Sequence, residues 1–262
     1  MNTQPGIHGP MANLYDVFVD WPVRLSREMP GIIASLQSVN ARKILDVGCG
    51  TGRHVKALCD AGFDAYGADI SPAMLDEARR LLGDGSRFFQ WAMGTPPAAI
   101  PVAPFDAILC MGNVWPQITG EANVKAAAKS LHDLLRSGGG LLLMGMKAVA
   151  IRKQSDNPYM PPLKREHEGR PIYFIRMIDF APGSSGSDGE ELCEFHMIVV
   201  RGDSQTQSTA DLHNVHLSRV WSPDTLRDTF AQAGFQDVKI SGKLTDFSVE
   251  PTTEDIFLRA VR

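Results

Sequence analysis

Apolar and polar positions follow two successive rhythms along the chain. From residue 43 to about residue 146, short apolar runs alternate with stretches whose apolar residues have helical spacing. This pattern predicts strands at 43–49, 63–69, 87–92, 105–112 and 141–146, and helices at 52–61, 71–82 and 121–136. The segment SGGG should end the last of these helices. Strands that are apolar throughout and alternate with helices indicate a parallel sheet covered on both faces.

After residue 147 the rhythm changes to strands alone. Three strand-like runs, at 171–180, 191–202 and 211–220, follow one another without a helical stretch, and APGSSGSDGE should form a flexible turn between the first two. A helix is predicted at 222–235, with Ser222 as N-cap and Gly234 as C-cap, followed by two strands. We therefore predict an α/β fold with a doubly wound sheet and an antiparallel β insertion after the fifth strand.

The first forty residues have a different pattern. Residues 1–10 are rich in Gly and Pro, and residues 11–38 place apolar side chains at helical spacing. Pro22 and Pro30 should break that helical stretch, because proline lacks the backbone N–H that a helix interior needs.

Composition excludes several classes of protein. The chain has 262 residues, 44% of them apolar and 21% charged, with a net charge of −4. A general nucleic-acid binder normally has a basic face, so we predict no nucleic-acid partner. No apolar run approaches the roughly 18–20 residues of a membrane span, and no secretory leader is recognisable, which favours a cytoplasmic protein without a membrane partner. The four cysteines form no CxxC pair, so we expect reduced thiols.

The stretch ILDVGCGTGRH, residues 44–54, places Gly48, Gly50 and Gly52 at every second position behind a strand. A dinucleotide fingerprint, GxGxxG, would need a small residue at position 53 or 55, which are Arg53 and Val55. The lysine and Ser/Thr pair of a phosphate-binding loop is also missing. Because Asp46 lies within the motif, the turn suits a cationic ligand better than a phosphate.

A second carboxylate, Asp69, ends the second predicted strand. In that position a carboxylate accepts hydrogen bonds from both hydroxyls of a ribose. An adenosine-like ribose joined to a small cationic group describes S-adenosylmethionine (SAM), which carries a sulfonium and an ammonium and no phosphate. An NAD-linked oxidoreductase is the alternative that the glycine spacing disfavours.

With these motifs the sequence resembles the class I SAM-dependent methyltransferases. ILDVGCGTG is similar to their first motif, GADISPAML to the second-strand motif, FDAILCMGN to the fourth-strand motif and LLRSGGGLLLM to the fifth-strand motif. The resemblance implies a Rossmann-like seven-stranded sheet and SAM as cofactor. It implies that the three glycines and Asp46 lie at the methionine end of SAM and that Asp69 binds the ribose. Further cofactor contacts implied by the resemblance are Ile70, Met74, Met111 and Gly112.

The chain departs from this family after the third strand. Family members commonly have an acidic residue there that contacts the adenine amino group, and this chain has Ala92. Adenine recognition should then depend on backbone atoms around Ala92 and Met93 and on apolar packing.

The stretch CMGNVWPQI, residues 110–118, resembles glycine/sarcosine-type small-molecule N-methyltransferases. By that resemblance Asn113 lies near the amino-acid portion of the cofactor, while Trp115 and Gln117 face the acceptor. Lys147 occupies the place of an arginine that binds the substrate carboxylate. Core packing of Trp115 and a solvated charge at Lys147 are the alternatives.

The segment YDVFVDW, residues 15–21, resembles the N-terminal segment that covers SAM in the same enzymes. Tyr15 would be a cover residue that also contacts the cofactor. Arg24 is a second candidate cation, assigned to the cofactor side of the pocket. The resemblance divides the chain into a helical cover segment (1–40), a SAM-binding core (41–147 and 221–262) and an insertion or lid that contributes to the acceptor pocket (148–220).

The resemblance implies methyl transfer to a small-molecule acceptor. An amine needs alignment and desolvation, whereas a hydroxyl also needs a base, and no histidine lies in the fourth-strand motif. An amine or amino-acid nitrogen is therefore favoured. A small-molecule O-methyltransferase, with a base among His167, His196, His213 and His216, and a non-catalytic SAM-binding module are the alternatives. His213 and His216 should point to opposite faces of a strand, so we predict no metal site. The sequence is compatible with a homo-oligomer.

Overall fold

The computed structural model describes residues 8–144, 159–180, 190–201, 210–250 and 256–262. Two helices begin this part of the chain, α1 (His8–Phe18) and α2 (Trp21–Ser38). Pro22 lies in the first turn of α2, where no backbone N–H is needed. The expected break at Pro30 is wrong, because α2 continues through it. Pro30 is exposed and so is Ser26, whose carbonyl loses its helical partner, so water can solvate that group.

The next part of the chain alternates between strands and helices as predicted. The strands are β1 (Lys43–Val47), β2 (Asp64–Asp69), β3 (Phe88–Gln90), β4 (Phe105–Cys110) and β5 (Leu135–Met144). The helices are α3 (Arg53–Asp60), α4 (Pro72–Leu82) and α5 (Glu121–Leu134). All pairings among these five strands are parallel, with β1 between β2 and β4.

The segment SGGG, which we expected to be a turn before the fifth strand, lies inside β5. The backbone N–H of Gly138 donates to the carbonyl of Arg262 at 2.8 Å, and the N–H of Arg262 donates to Gly139 at 2.9 Å. These bonds to the C-terminus hold the glycines in the sheet. The register between β4 and β5 shifts between Phe105 and Ala107, which accommodates the extra residues.

The insertion is a separate antiparallel sheet of four strands in sequence order: β6 (Tyr159–His167), β7 (Arg170–Asp179), β8 (Leu192–Arg201) and β9 (Ala210–Arg219). Three of them match the predicted runs. The fourth, β6, was missed because Pro161 and Pro162 interrupt its pattern. Both prolines are exposed on an edge strand, where the register shifts and a missing donor is tolerated. The expected turn at 181–190 lies outside the described residues except for Glu190.

The chain then returns to the large sheet with α6 (Pro223–Gln232), β10 (Gln236–Ser241) and β11 (Phe257–Val261). The Ser222 hydroxyl caps α6 by accepting from the N–H of Thr225 at 3.1 Å, and Ala233, rather than Gly234, is its C-cap. The strand order is β10-β11-β5-β4-β1-β2-β3, with β11 antiparallel to both neighbours. The predicted seven-stranded doubly wound sheet with an insertion after its fifth strand is confirmed.

Three apolar clusters hold these layers together. Two of them cover the opposite faces of the large sheet, and the third packs Met11 and Leu14 of α1 against the four-stranded sheet. The carboxyl ends of β1, β2 and β4 meet at the crevice where the strand order reverses, which is where ligands bind in open α/β sheets. No helix among the described residues has the length and apolar character needed to cross a membrane.

Candidate functional site

The glycine loop after β1 has a backbone that other residues do not readily adopt. Gly48, Gly50 and Gly52 have φ angles of +70°, +54° and +76°. A Cβ on Gly48 would lie 2.5 Å from the Val114 side chain, and one on Gly52 would lie 2.9 Å from Ala78. The motif is therefore required both by its left-handed backbone and by close packing at two of its three glycines.

Asp69 is buried at the end of β2 and is held by two backbone donors. Its Oδ2 accepts from the N–H of Gly50, and its Oδ1 accepts from the N–H of Ser71, both at 2.9 Å. Each carboxylate oxygen can accept a second hydrogen bond. The side chain is thus fixed beside the glycine loop while it keeps the capacity to bind a diol.

Asp46 is buried beneath the same loop, with 2% of its surface exposed. Its Oδ2 has no hydrogen-bond partner among the described residues. Burial raises the pKa of this carboxyl to about 6, partly opposed by the positive charges of His54 and Arg24. A buried carboxylate with an unsatisfied oxygen is suited to a cationic ligand group.

Four polar side chains connect α1 and α2 to the helix that follows the loop: Tyr15, Arg24, Glu28 and His54. Arg24 Nε donates to Glu28 Oε1 at 2.9 Å, and His54 Nε2 lies 2.7 Å from Glu28 Oε2. Burial acts to raise the pKa of Glu28, but the hydrogen bonds from His54 and Arg24 and their charges bring it below its usual range. The Arg24 guanidinium also reaches Gly112 at the end of β4, since a Cβ there would lie 3.1 Å from it.

Tyr15 completes this arrangement from α1. Burial raises the pKa of its phenol, against the opposing charge of Arg24 and a hydrogen bond from it. A Cβ on Gly50 would lie 3.8 Å from the Tyr15 ring. The structure therefore brings Tyr15 and Arg24 to the glycine loop. The sequence did not predict Glu28 or His54 as site residues. His54 could have been considered, because it is the last residue of the stretch ILDVGCGTGRH.

Asp16 fastens α1 to the loop. One of its oxygens, Oδ1, accepts from the Thr51 hydroxyl at 2.6 Å and from Trp21 Nε1 at 2.7 Å. The other, Oδ2, accepts from Arg53 Nε at 2.9 Å and from its NH2 nitrogen at 2.5 Å. One carboxylate on α1 thus holds the loop through Thr51 and the first residues of α2 and α3 through Trp21 and Arg53.

Asp16→Ala should lower the free energy of unfolding by about 1–3 kcal/mol, because it removes the acceptor of the buried Thr51 hydroxyl and of Trp21. The Arg53 pair adds little, since both side chains are partly exposed. Urea denaturation measures the change. Asn13→Ala, at an exposed position of the same helix, is the matched control. Equal stability of the two variants would show that Asp16 does not fasten α1.

The predicted adenine side is only partly open. Ile70 is 52% exposed directly after Asp69, and Met93 is half-buried. The Met74 side chain is fully buried. The carbonyl of Ala92 accepts from the N–H and the hydroxyl of Thr95, at 3.1 and 2.6 Å, which occupies both of its lone pairs. That carbonyl is therefore not available to adenine, and Ile70 and Met93 remain as apolar contacts.

The acceptor-side segment follows β4. Met111 is buried, Asn113 is exposed, and the Gln117 amide donates back to the Asn113 carbonyl at 2.7 Å. The Trp115 ring has no exposed surface and packs in the core, with its centroid 4.7 Å from that of Phe230. Of the two alternatives for Trp115, contact with the acceptor or core packing, the structure shows core packing. Lys147 lies outside the described residues.

His213 and His216 point to opposite faces of β9, as expected from their spacing. His213 is exposed and its ring stacks with that of His196, with Nε2 3.1 Å from His196 Nδ1. His216 is buried, and its ring centroid lies 5.0 Å from that of Phe195. The described part of the chain contains no group of three or more ligating side chains that could hold a metal ion. All four cysteines are free thiols.

These residues fit SAM in its chemistry. The unsatisfied oxygen of Asp46 suits an ammonium, the fixed Asp69 suits a ribose, and the exposed Ile70 suits an adenine ring. The Arg24 guanidinium beside Gly112 is placed to bind a carboxylate. Positive φ angles at all three glycines allow the ligand to approach the backbone closely.

Residues 44–139 match the family described as a methyltransferase domain. The chain contains a methyltransferase domain at these residues. That domain includes the glycine loop and both carboxylates described above.

Relatives of the methyltransferase domain have different acceptors. The chain is 31% identical to the glycine/sarcosine N-methyltransferase of Parasynechococcus marenigrum (strain WH8102) over 134 residues, 49% of this chain and 46% of the relative. It is 28% identical over 178 residues to the tRNA U34 carboxymethyltransferase of Enterobacter sp. (strain 638), 66% of this chain and 52% of the relative. The matched part spans about half the length of these curated relatives.

Solved structures resemble a larger share of the chain. The sugar N-methyltransferase KedS8 from Streptoalloteichus sp. ATCC 53650 superposes with a TM-score of 0.76 and 18% identity, covering all of this chain and 95% of that one. This likeness shows that the methyltransferase domain and the insertion have a known common fold.

Proposed function

We propose that this protein transfers a methyl group from SAM to a nitrogen atom of a small molecule. The observation that carries the proposal is the pair of buried carboxylates around the glycine loop, Asp46 with an unsatisfied oxygen and Asp69 held by two backbone donors. The pair matches a cationic adenosine without phosphate. The glycine/sarcosine N-methyltransferase relatives support a small amine as acceptor.

When bound, SAM supplies a methyl carbon activated by the adjacent sulfonium. An amine lone pair forms the new C–N bond as the C–S bond breaks with its electrons going to sulfur, and the product ammonium loses a proton to solvent. The chain's own task is to align the acceptor and to exclude water. The half-buried Tyr15 and the helix α1 that Asp16 fastens to the loop cover the site and serve both purposes.

Nitrogen is favoured over oxygen by what each acceptor needs. A neutral amine attacks through its own lone pair, whereas a hydroxyl needs a base near its proton, and no histidine lies in the fourth-strand motif. The insertion contributes the acceptor pocket in this proposal, with Asn113 and Gln117 at its edge and Tyr15 on the cofactor side. Lys147 would bind an acceptor carboxylate.

A labelled-methyl screen tests the proposal. The protein is incubated with SAM carrying a ¹³C-methyl group and pools of amines, amino acids and phenols, and products are identified by mass spectrometry. We expect label on an amine nitrogen, lost in Asp69→Ala and kept in Asp64→Ala, which changes the exposed start of the same strand. Label only on phenols would replace the proposal with O-methylation. Calorimetric SAM binding without any product would indicate a binding module.

A further inference from the structure

Strand β9 carries a row of polar side chains that the proposed function leaves unexplained. In the register with β8, Asn214 lies opposite Met197, His216 opposite Phe195 and Ser218 opposite Cys193. Residues directly opposite each other share one face of the sheet. The three β8 partners all belong to the apolar cluster packed against α1. Asn214, His216 and Ser218, called the polar strip below, therefore lie on the inner face of the second sheet.

The polar strip is largely buried, and two of its members have unsatisfied polar atoms. Ser218 has no exposed surface, His216 is 8% exposed and Asn214 is half-buried. Within the described ranges, Ser218 Oγ and Asn214 Nδ2 are buried and have no hydrogen-bond partner. Buried polar atoms in native proteins are almost always hydrogen-bonded. Two unsatisfied donors on one strand face thus indicate groups that a ligand satisfies.

The strip lies next to the acceptor-side segment. Strand β9 packs against the turn Trp115–Gln117, and Val114, one residue before this turn, contacts Gly48 of the cofactor loop. Glu190 fastens the strand in place. Its Oε1 accepts from the N–H of Gly120 at 2.7 Å, and its Oε2 forms an ion pair with Arg219 at 3.3 Å. The same segment therefore contacts both the cofactor loop and β9.

We propose that the polar strip binds the methyl acceptor and that the acceptor is an amine on an extended hydroxylated scaffold. The assignment rests on the proposed function. A strand rises about 3.4 Å per residue, so Asn214 and Ser218 lie on the order of 13 Å apart along β9. An amino acid as small as glycine cannot contact both. A hydroxylated scaffold can, because its hydroxyls accept from the Asn214 amide and pair with the Ser218 hydroxyl, while its carbon skeleton packs on the apolar face.

Binding and turnover measured on the same variants test this inference. Saturation-transfer NMR on protein saturated with S-adenosylhomocysteine measures binding of four probes: glycine, sarcosine, D-glucosamine and kanamycin A. The strip variants are Asn214→Leu, Ser218→Ala and their combination. The matched controls are His213→Gln and Val215→Ala, which change exposed side chains on the same strand.

We expect a hydroxylated amine to bind more tightly than glycine and the double strip variant to weaken its binding at least tenfold. The affinity for S-adenosylhomocysteine and the melting temperature of the single variants should stay close to those of the parent, and the outer-face controls should bind as the parent does. Absence of binding by both hydroxylated amines overturns the inference, as does binding that the strip variants leave unchanged.

The two proposals fail in different ways. Hydroxylated amines that bind through the strip but receive no labelled methyl group support the strip and contradict N-methyl transfer. Methyl transfer to glycine at rates that Asn214→Leu and Ser218→Ala do not alter supports N-methyl transfer and contradicts the strip as the acceptor site.

Discussion

Asp69→Ala should weaken SAM binding roughly 5- to 150-fold, because a charged hydrogen-bonding group in a buried site contributes about 1–3 kcal/mol. The substitution removes the group proposed to bind both ribose hydroxyls. It also leaves the N–H groups of Gly50 and Ser71 without their acceptor, so the glycine loop loses the contact that fixes its position. We expect the free energy of unfolding without ligand to fall by about 2 kcal/mol or more.

Isothermal titration calorimetry and urea denaturation separate these two effects. Asp69→Asn keeps one oxygen as acceptor and should be intermediate in both measurements. Asp64→Ala is the matched control, because Asp64 begins the same strand, is exposed and lies at the opposite edge of the sheet. Unchanged SAM affinity in Asp69→Ala would remove the ribose assignment, whatever its effect on stability.

The sequence predicted the parts of the fold that depend on local pattern. Glycine spacing distinguished this loop from a dinucleotide turn because the third glycine comes one position too early for a pyrophosphate. The N-cap Ser222 was predictable because a serine hydroxyl bonds to the N–H group three residues later, here that of Thr225. The alternation of strands and helices was sufficient to predict a doubly wound sheet.

What the sequence did not predict depends on contacts between distant residues. Pairing of Gly138 and Gly139 with Arg262 turns an apparent loop into strand, and no local pattern reports that. The edge position of β6 makes its two prolines acceptable. The contact between Glu28 and His54 joins α2 to α3 and required the packing of α2 on the loop.

The candidate site divides in the same way. Asp46 and Asp69 were predicted because motif and ligand chemistry point to single positions, and both are buried beside the glycine loop. Trp115 was ambiguous because an aromatic after a strand suits both a pocket and a core, and its contacts with Phe230 and Trp221 became known only from the structure. The polar strip needed the register of β9 with β8, since strand alternation alone does not say which face is buried.

Asp46→Asn should stabilise the ligand-free protein at neutral pH and weaken its binding of SAM. Burial raises the pKa of this carboxyl from 3.8 to about 6, so between these values the folded state binds a proton that the unfolded state has lost. The free energy of unfolding contributed by Asp46 therefore decreases as the pH rises through this window. The full difference corresponds to about 3 kcal/mol.

The comparison of variant and parent isolates this contribution. Other carboxyls act in the opposite direction, as does Asp106, where burial is outweighed by hydrogen bonds from the Lys43 and Arg42 backbone and from Arg136 that lower its pKa. The stability of Asp46→Asn relative to the parent should therefore grow by about 2 kcal/mol between pH 4.5 and pH 7.5, measured by urea denaturation. A difference independent of pH would show that Asp46 is not the titrating group.

SAM binding should have the reverse dependence on pH. If the ammonium binds only the carboxylate form of Asp46, the apparent affinity rises about tenfold from pH 5 to pH 7.5, because the competent fraction rises by that factor. Asp46→Asn should bind weakly and with little change over this range, measured by calorimetry. An affinity of the parent that stays constant would place the ammonium elsewhere. The buried, unsatisfied Asp46 carboxylate then lowers the free energy of unfolding of the ligand-free protein, and a bound ammonium offsets that loss. Binding sites commonly reduce the stability of the fold that carries them in this way.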